Sequence, residues 1–324
     1  MKIIDRPYRV VASGLRFPEG PVALSDGGCL VVELERRSLT HIDPAGKVEP
    51  VAILGGSPNG AAIGPDGRCY VCNNGGLKFA SDPKLGLWPV GLAEDYQGGS
   101  IDVVDLKTGR LERLYQRHEH GPLLAPNDLV FDAHGGMWFT DIGHREARSA
   151  KHGGVYYARA DGSLIREVIY PLTGPNGVGL SPDGRTLYVA ETVTARVWAF
   201  EITAPGEIRR LYPPGGFPDP SNGHIVLAGA SHGRLLHASA DLQLFDSLAV
   251  DAEGYVCVGT LVKGGITAIS PDSSVVEKVP LPDPKATNIC FGGPGLRTAY
   301  VTLSSCGELI AFEWMRQGLR LNYQ

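Results

Sequence analysis

One phrase recurs six times along the chain, and no other feature of the sequence restricts its fold as strongly. The copies are FPEGPVALSDGGCLVVEL from Phe17, PNGAAIGPDGRCYVCNNG from Pro58, PNDLVFDAHGGMWFTDI from Pro126, PNGVGLSPDGRTLYVAET from Pro175, FDSLAVDAEGYVCVGTL from Phe245 and TNICFGGPGLRTAYVTL from Thr287. Each opens on a polar residue, runs through a short alternating apolar stretch, meets a turn rich in Asp and Gly, and continues as a second β-rich run. That is the pattern of a β-hairpin. Between the copies, GSIDVVDLKTGRLERLY and GGVYYARADGSLIREVIY add further strand pairs around a Gly-bearing turn. Dividing 324 residues by six gives 54 per unit, and four short antiparallel strands in that length are what a β-propeller blade requires. The expected fold is all-β: one six-bladed β-propeller domain over residues 1–324, made of four-stranded antiparallel blades. A β-sandwich would not explain six similar hairpins, and a solenoid would want a tighter period. YRVVASG near the N-terminus is expected to pair into the blade that carries ELIAFEW, closing the ring and removing its open edges.

Composition agrees with this reading and narrows the partners. With 43 Gly and 24 Pro the chain disfavours a helical bundle. A net charge of −5, from 30 basic and 35 acidic residues without a basic cluster, leaves no electrostatic footprint for nucleic acid or an anionic membrane. The opening MKIIDRPYRVVASG places Lys2, Asp5, Arg6 and Arg9 where an export signal needs an apolar run, and nothing approaches the roughly 20 apolar residues that span a bilayer. A cytoplasmic protein is expected. Cys29, Cys69, Cys72, Cys257, Cys290 and Cys306 are scattered through strand-like text, as suits reduced thiols. The CxxC of RCYVCNN does not make a zinc site, because residues three apart on a strand face opposite sides and no second CxxC or nearby His completes the set.

The polar residue opening each copy is Glu19, Asn59, Asn127, Asn176, Asp246 or Asn288. Innermost strands line the channel of a propeller, so these side chains are expected to converge at one end of it. Two carboxylates facing each other there without a counter-charge would repel, which calls for a cation. The oxygen-only donor set favours calcium, magnesium or manganese over a structural zinc. The competing explanation, that Asn and Asp merely cap turns before strands, accounts well for Asn59 and Asn288 but less well for two carboxylates in one slot.

The phrases FPEG, PND, PNG with PDGRTLYVAET, and FDSLAVDAEG resemble those of the gluconolactonase and regucalcin (senescence marker protein) family of six-bladed propellers, over nearly the whole chain. The resemblance implies one divalent metal in the central channel, calcium by preference and otherwise magnesium, manganese, zinc or iron. Its implied ligands are the residues matching Glu19, Asn176 and Asp246, with Asn127 on the metal or on the substrate. It also implies hydrolysis of sugar lactones or, in a related branch, of organophosphate esters. Two departures argue against gluconolactone itself as the preferred substrate. Ala125 stands where regucalcin-like members have an Arg contacting sugar hydroxyls, and WFTDIGHRE lacks the Pro-Tyr-Gly that follows this Asp in many bacterial gluconolactonases.

Ring opening by a metal-activated water fits such a site. The cation polarises the lactone carbonyl, Asp246 orients or deprotonates the water, Glu19 neutralises the cation, and Asn127 and Asn176 supply neutral oxygens. Glu33, Asn73, Asp141, Glu191 and Thr260, at the ends of the returning strands, form a surrounding shell. Candidate substrate contacts are Asn73, Asp141, His144, Glu191 and, in the insertion from Leu77 to Gly98, Trp88, with Tyr96 nearby. Gly229-Ala230-Ser231-His232-Gly233 matches the GxSxG nucleophile elbow, but that motif needs a strand-turn-helix on a parallel sheet, which a propeller lacks. The remaining alternatives are a non-catalytic binding propeller with a structural metal and a metal-free condensation enzyme of the strictosidine-synthase-like kind. No feature of the sequence sets an oligomeric state.

Overall fold

A computed structural model describes residues 2–146, 148–211 and 232–324. They form six antiparallel sheets whose innermost strands are Pro18–Ala23, Pro58–Ile63, Pro126–Phe131, Pro175–Leu180, Leu244–Val250 and Ala286–Gly292, the six repeated phrases in order. This is the six-bladed β-propeller the repeat predicts. The first blade shows the pattern: Pro18–Ala23, Cys29–Glu33, Ser38–Ile42 and Val48–Ile53 pair in sequence order from the axis outwards. Inside the second blade the chain leaves after Asn73 to make the hairpin Leu77–Asp82 with Gly86–Leu92, then returns as Ser100–Val104.

Local chemistry explains the hairpins. In the turn of the second blade Asp66 Oδ1 accepts the Arg68 N–H at 3.0 Å while Gly67 takes φ +75°, a conformation costly for any residue with a Cβ. Apolar side chains then alternate to both faces of each sheet, because a blade is covered by a neighbour on either side. Six clusters of buried side chains result, one at each junction between adjacent blades. Cys69 belongs to the cluster between the first and second blades and Cys72 to that between the second and third, so the CxxC thiols do face opposite ways.

The ring is closed by the N-terminal strand Arg9–Ala12, which pairs antiparallel with Glu308–Glu313 as the outer strand of the sixth blade. Lys2–Ile3 adds a parallel strand to the edge of the fifth blade, a pairing too short to leave a pattern in the sequence. After Trp314 the C-terminal segment turns under the ring. Arg316 is buried between Asp251 and Glu277, and the segment then hydrogen-bonds the ends of three inner strands: Leu319 N to Val250 O at 3.3 Å, Asn322 Nδ2 to Phe131 O at 3.0 Å, and Gln324 Nε2 to Ala23 O at 2.7 Å. It therefore covers the channel at the end where the inner strands finish. No helix among the described residues is long and apolar enough to cross a membrane.

Candidate active site

Strand register decides which side chains meet on the axis. In the inner hairpins Pro18 lies opposite Glu33, Pro58 opposite Asn73, Pro126 opposite Asp141, Pro175 opposite Glu191, Phe245 opposite Thr260 and Ala286 opposite Leu303. The residue that follows is Glu19, Asn59, Asn127, Asn176, Asp246 or Thr287, and all are buried. The sequence repeat aligns Asn288 with Glu19, but the pairing gives that place to Thr287 and moves Asn288 one residue on. Matching by residue type fails here because ATN lacks the Pro or Phe that marks the position in the other copies. Asn288 Oδ1 accepts the Ile289 N–H at 2.8 Å, so its amide turns a donor to Glu19 Oε2 at 3.0 Å and braces that carboxylate.

In every blade the register then shifts, the mark of a β-bulge that re-aims the next side chain. Gly20, Gly60 and Gly177 follow the axial residue in three blades. A Cβ on Gly20 would stand 2.4 Å from Asn59 O and one on Gly60 2.6 Å from Asn127 O, so neighbouring inner strands nearly touch. In the third blade this position holds Asp128, a buried carboxylate that the sequence reading passes over. The signal was the D of PND where two other copies have PNG.

Burial pushes the Glu19 carboxyl up to about 7 and that of Asp128 up to about 8. Burial also drives Asp246 well above the ordinary range, the Glu19 charge adding to the effect. Two acids buried elsewhere have cationic partners, Glu33 with Arg36 at 2.8 Å and Asp102 with Arg113 at 3.2 Å, and two others, Asp141 and Glu191, are held by hydrogen-bond donors. The axial acids have no cationic partner among the described residues. Beside them Asn127 Oδ1 is buried without a hydrogen-bond partner, while Asn176 Oδ1 accepts from Ser247 Oγ at 3.2 Å. Uncompensated carboxylates next to an orphaned amide oxygen are the surroundings a hard cation fits. Among the described residues no three His, Cys, Asp or Glu side chains gather closely enough to hold a metal by themselves, so the amide oxygens are a necessary part of any such set.

The shell residues act on the loops that lead into the axis. Asp141 accepts backbone N–H groups from Leu124, Ala125 and Gly143 at 2.7, 2.9 and 2.9 Å. Glu33 accepts from Arg16 N at 2.7 Å, Asn73 from Ser57 N at 2.9 Å, and Glu191 from Thr173 N at 2.8 Å. Four blades thus use the same device: the end of the returning strand clamps the backbone two or three residues before the axial side chain. His144 Nε2 is hydrogen-bonded to the hydroxyl of Tyr96, which donates to Leu124 O at 2.8 Å, and burial holds the imidazole below its usual pKa.

Trp88 is 43% exposed on the inserted hairpin, which reaches from the second blade to the sixth. Phe79 packs on Phe17 at 5.2 Å between ring centroids, Leu87 N donates to Ser305 O at 3.0 Å, and Lys285 Nζ lies 3.2 Å from the centre of the Trp88 ring while donating to Leu87 O. Gly229, Ala230 and Ser231 of the GxSxG run lie outside the described residues. On the far side of the ring a cavity of about 800 Å³ extends to the C-terminal segment, lined by Asp128, Asn288, Leu319 and Asn322 among others. Glu19, Asn127, Asn176 and Asp246 do not line it, so it is a chamber behind the axial site.

Comparison with known families sharpens this picture, since the model of the SMP-30/gluconolactonase/LRE-like region matches residues 17–305. The chain belongs to that family. Among curated relatives, a gluconolactonase of Zymomonas mobilis is 23% identical, covering 93% of this chain and 80% of the relative. A diisopropyl-fluorophosphatase of Loligo vulgaris is 24% identical over 98% of this chain and 95% of its own length. Among solved structures, a calcium-binding regucalcin from Agrobacterium tumefaciens superposes with a TM-score of 0.71 at 17% identity, covering 99% of this chain and all of that one. At that identity the likeness bears on the fold. The matched region begins at Phe17, two residues before Glu19, and ends at Ser305, so it takes in every inner hairpin and leaves out the closing strand and the C-terminal segment.

Proposed function

We propose that this protein is a metal-dependent lactonase, opening the ring of a small-molecule lactone at the axial site. The observation that carries this reading is the meeting of buried, uncompensated Glu19, Asp128 and Asp246 with the orphaned Asn127 Oδ1. Glu19, Asn127, Asn176 and Asp246 would hold one divalent cation, with calcium favoured by the all-oxygen set and by the flexible geometry it accepts. When bound, the cation supplies counter-charge to the carboxylates and Lewis acidity towards a carbonyl oxygen.

The side chains divide the remaining work. Asp246, ionised under that counter-charge, orients the attacking water and takes its proton. Asn288 braces Glu19 through its 3.0 Å hydrogen bond, so Glu19 holds charge in place and moves no proton. Asn127 Oδ1 has no hydrogen-bond partner, which leaves its lone pairs for the cation or for a substrate hydroxyl that donates to it. Asp141, Asn73 and Glu191 keep the entering loops rigid, and their hydrogen bonds to backbone fix the axial side chains to the tolerance that catalysis needs. His144 and Trp88 stand further out, where they would meet the substrate's substituents.

A second reading uses the same residues on a phosphorus ester, and the near full-length match to the fluorophosphatase favours considering it. One panel separates the two: aldonolactones, less hydroxylated lactones and a fluorophosphate ester assayed on chelated and metal-restored protein. Lactone turnover that returns with the cation and exceeds ester turnover supports the proposal. Turnover confined to the phosphorus ester would shift it to the second reading, and no cation-dependent turnover of either would leave a binding propeller.

A further inference from the structure

Asn59 occupies the axial place of the second blade, between Glu19 of the first and Asn127 of the third. Its side chain is buried, 7% exposed, and Oδ1 has no hydrogen-bond partner. The orientation of its amide is settled by chemistry two steps away. Pro126 O can only accept, so the Asn74 group 2.7 Å from it is the NH2, which turns Asn74 Oδ1 towards Asn59. An acceptor at that place demands a donor, so Asn59 presents Nδ2 to it at 3.1 Å and its free atom is the oxygen. Pro126 immediately precedes Asn127, so one chain of hydrogen bonds fixes the amide of Asn59 and ties it to the strand bearing its axial neighbour.

A buried amide oxygen with no donor costs about 1–3 kcal/mol, and such atoms are seldom kept without a partner in the working state. Two of them, Asn59 Oδ1 and Asn127 Oδ1, lie in adjacent axial places beside carboxylates that lack a counter-ion. We propose that Asn59 Oδ1 is a direct ligand of the axial cation, alongside Glu19, Asn127, Asn176 and Asp246. The inference rests on the reading that the axis holds a cation, and it adds a donor outside the set implied by family resemblance. It also bears on selectivity. Calcium takes about six to eight oxygens in flexible geometry, whereas magnesium keeps several of its waters. An extra amide oxygen therefore favours calcium.

Terbium(III) luminescence provides the test, because lifetimes in H2O and D2O count the waters on the bound ion independently of activity. Stripped wild-type protein should bind terbium and release it to calcium. In Asn59→Ala the bound ion should carry one more water, and calcium affinity should fall about tenfold, as for loss of one neutral ligand, with magnesium affinity within twofold. Asn59→Asp should keep the wild-type water count and bind calcium more tightly. Unchanged water count and calcium affinity in Asn59→Ala would overturn the proposal. If that variant does not fold, Asn59→Asp decides alone: tighter calcium binding supports direct ligation, and unchanged affinity rejects it. Failure of the wild-type protein to bind terbium or calcium would instead remove the axial cation itself.

Discussion

Glu19 and Asp246 carry the argument at the scale of single residues. Glu19→Gln or Asp246→Asn should abolish cation-dependent hydrolysis, by at least about a thousandfold, and leave the protein folded, because each removes a buried charge that has no partner in the metal-free state. Circular dichroism and turnover at saturating cation check both halves. The same burial makes stability depend on pH. Folded-state values raised to about 7 for Glu19 and about 8 for Asp128 mean that the metal-free protein binds more protons than the unfolded chain. Its stability is full below the ordinary carboxylate range and falls as pH rises through 7 to 8. A cation reverses the penalty, so the gain in melting temperature on adding calcium should be larger at pH 8 than at pH 6. An equal gain at both values would mean that the acids are not at the cation. Ser231→Ala should leave turnover within a few-fold, since loss of a true nucleophile costs on the order of a millionfold. The axial residues were legible in the sequence because the repeat aligns them. Thr287 was not, because ATN lacks the Pro or Phe that marks the place in the other copies, and Asp128 showed only as the D of PND, whose inward aim depends on the bulge that follows the axial residue.

Loops and hairpins show where side-chain chemistry becomes rigidity. Truncating Asp141 to Ala would leave the N–H groups of Leu124, Ala125 and Gly143 unpaired, at a cost on the order of 3 kcal/mol in unfolding free energy, and should lower kcat by releasing Asn127. Denaturant midpoints and steady-state kinetics measure the two effects. The level of Asp141, Asn73 and Glu191 in the blade is legible in the repeat, because a hairpin returns its chain to the height at which it began. What the repeat lacks is the direction of their hydrogen bonds, which depends on the path of the entering loop. The inserted hairpin was legible only as excess length with aromatic residues. Its landing on Lys285 and Ser305, past Phe17 of the adjacent first blade, is a contact between non-neighbouring blades that no local pattern encodes. Trp88→Ala should raise KM about fivefold with kcat nearly unchanged, as expected of a residue that binds substrate and transition state alike. A fall in kcat at constant KM would place Trp88 in the chemistry.

The whole molecule depends on closure. Without Arg9–Ala12 the strand Glu308–Glu313 becomes an open edge, and deletion of residues 1–12 should lower the melting temperature by about 10 °C and promote aggregation. The closing pair was predictable because closure removes the open edges of the ring and YRVVASG offers a strand to pair with ELIAFEW. The C-terminal segment was not, since its hold on the propeller consists of Arg316 and single hydrogen bonds to scattered strand ends. The central claim spans all three scales: closure brings the inner strands together, the clamped loops set their heights, and the axial oxygens then hold one cation that hydrolysis requires. Its most direct test is the rate of lactone opening by chelator-stripped protein titrated with calcium. The account predicts negligible turnover without metal, a linear rise, and saturation at one equivalent, with no response in Glu19→Gln. Full turnover in stripped protein, or a rise unaffected by Glu19→Gln, would contradict it.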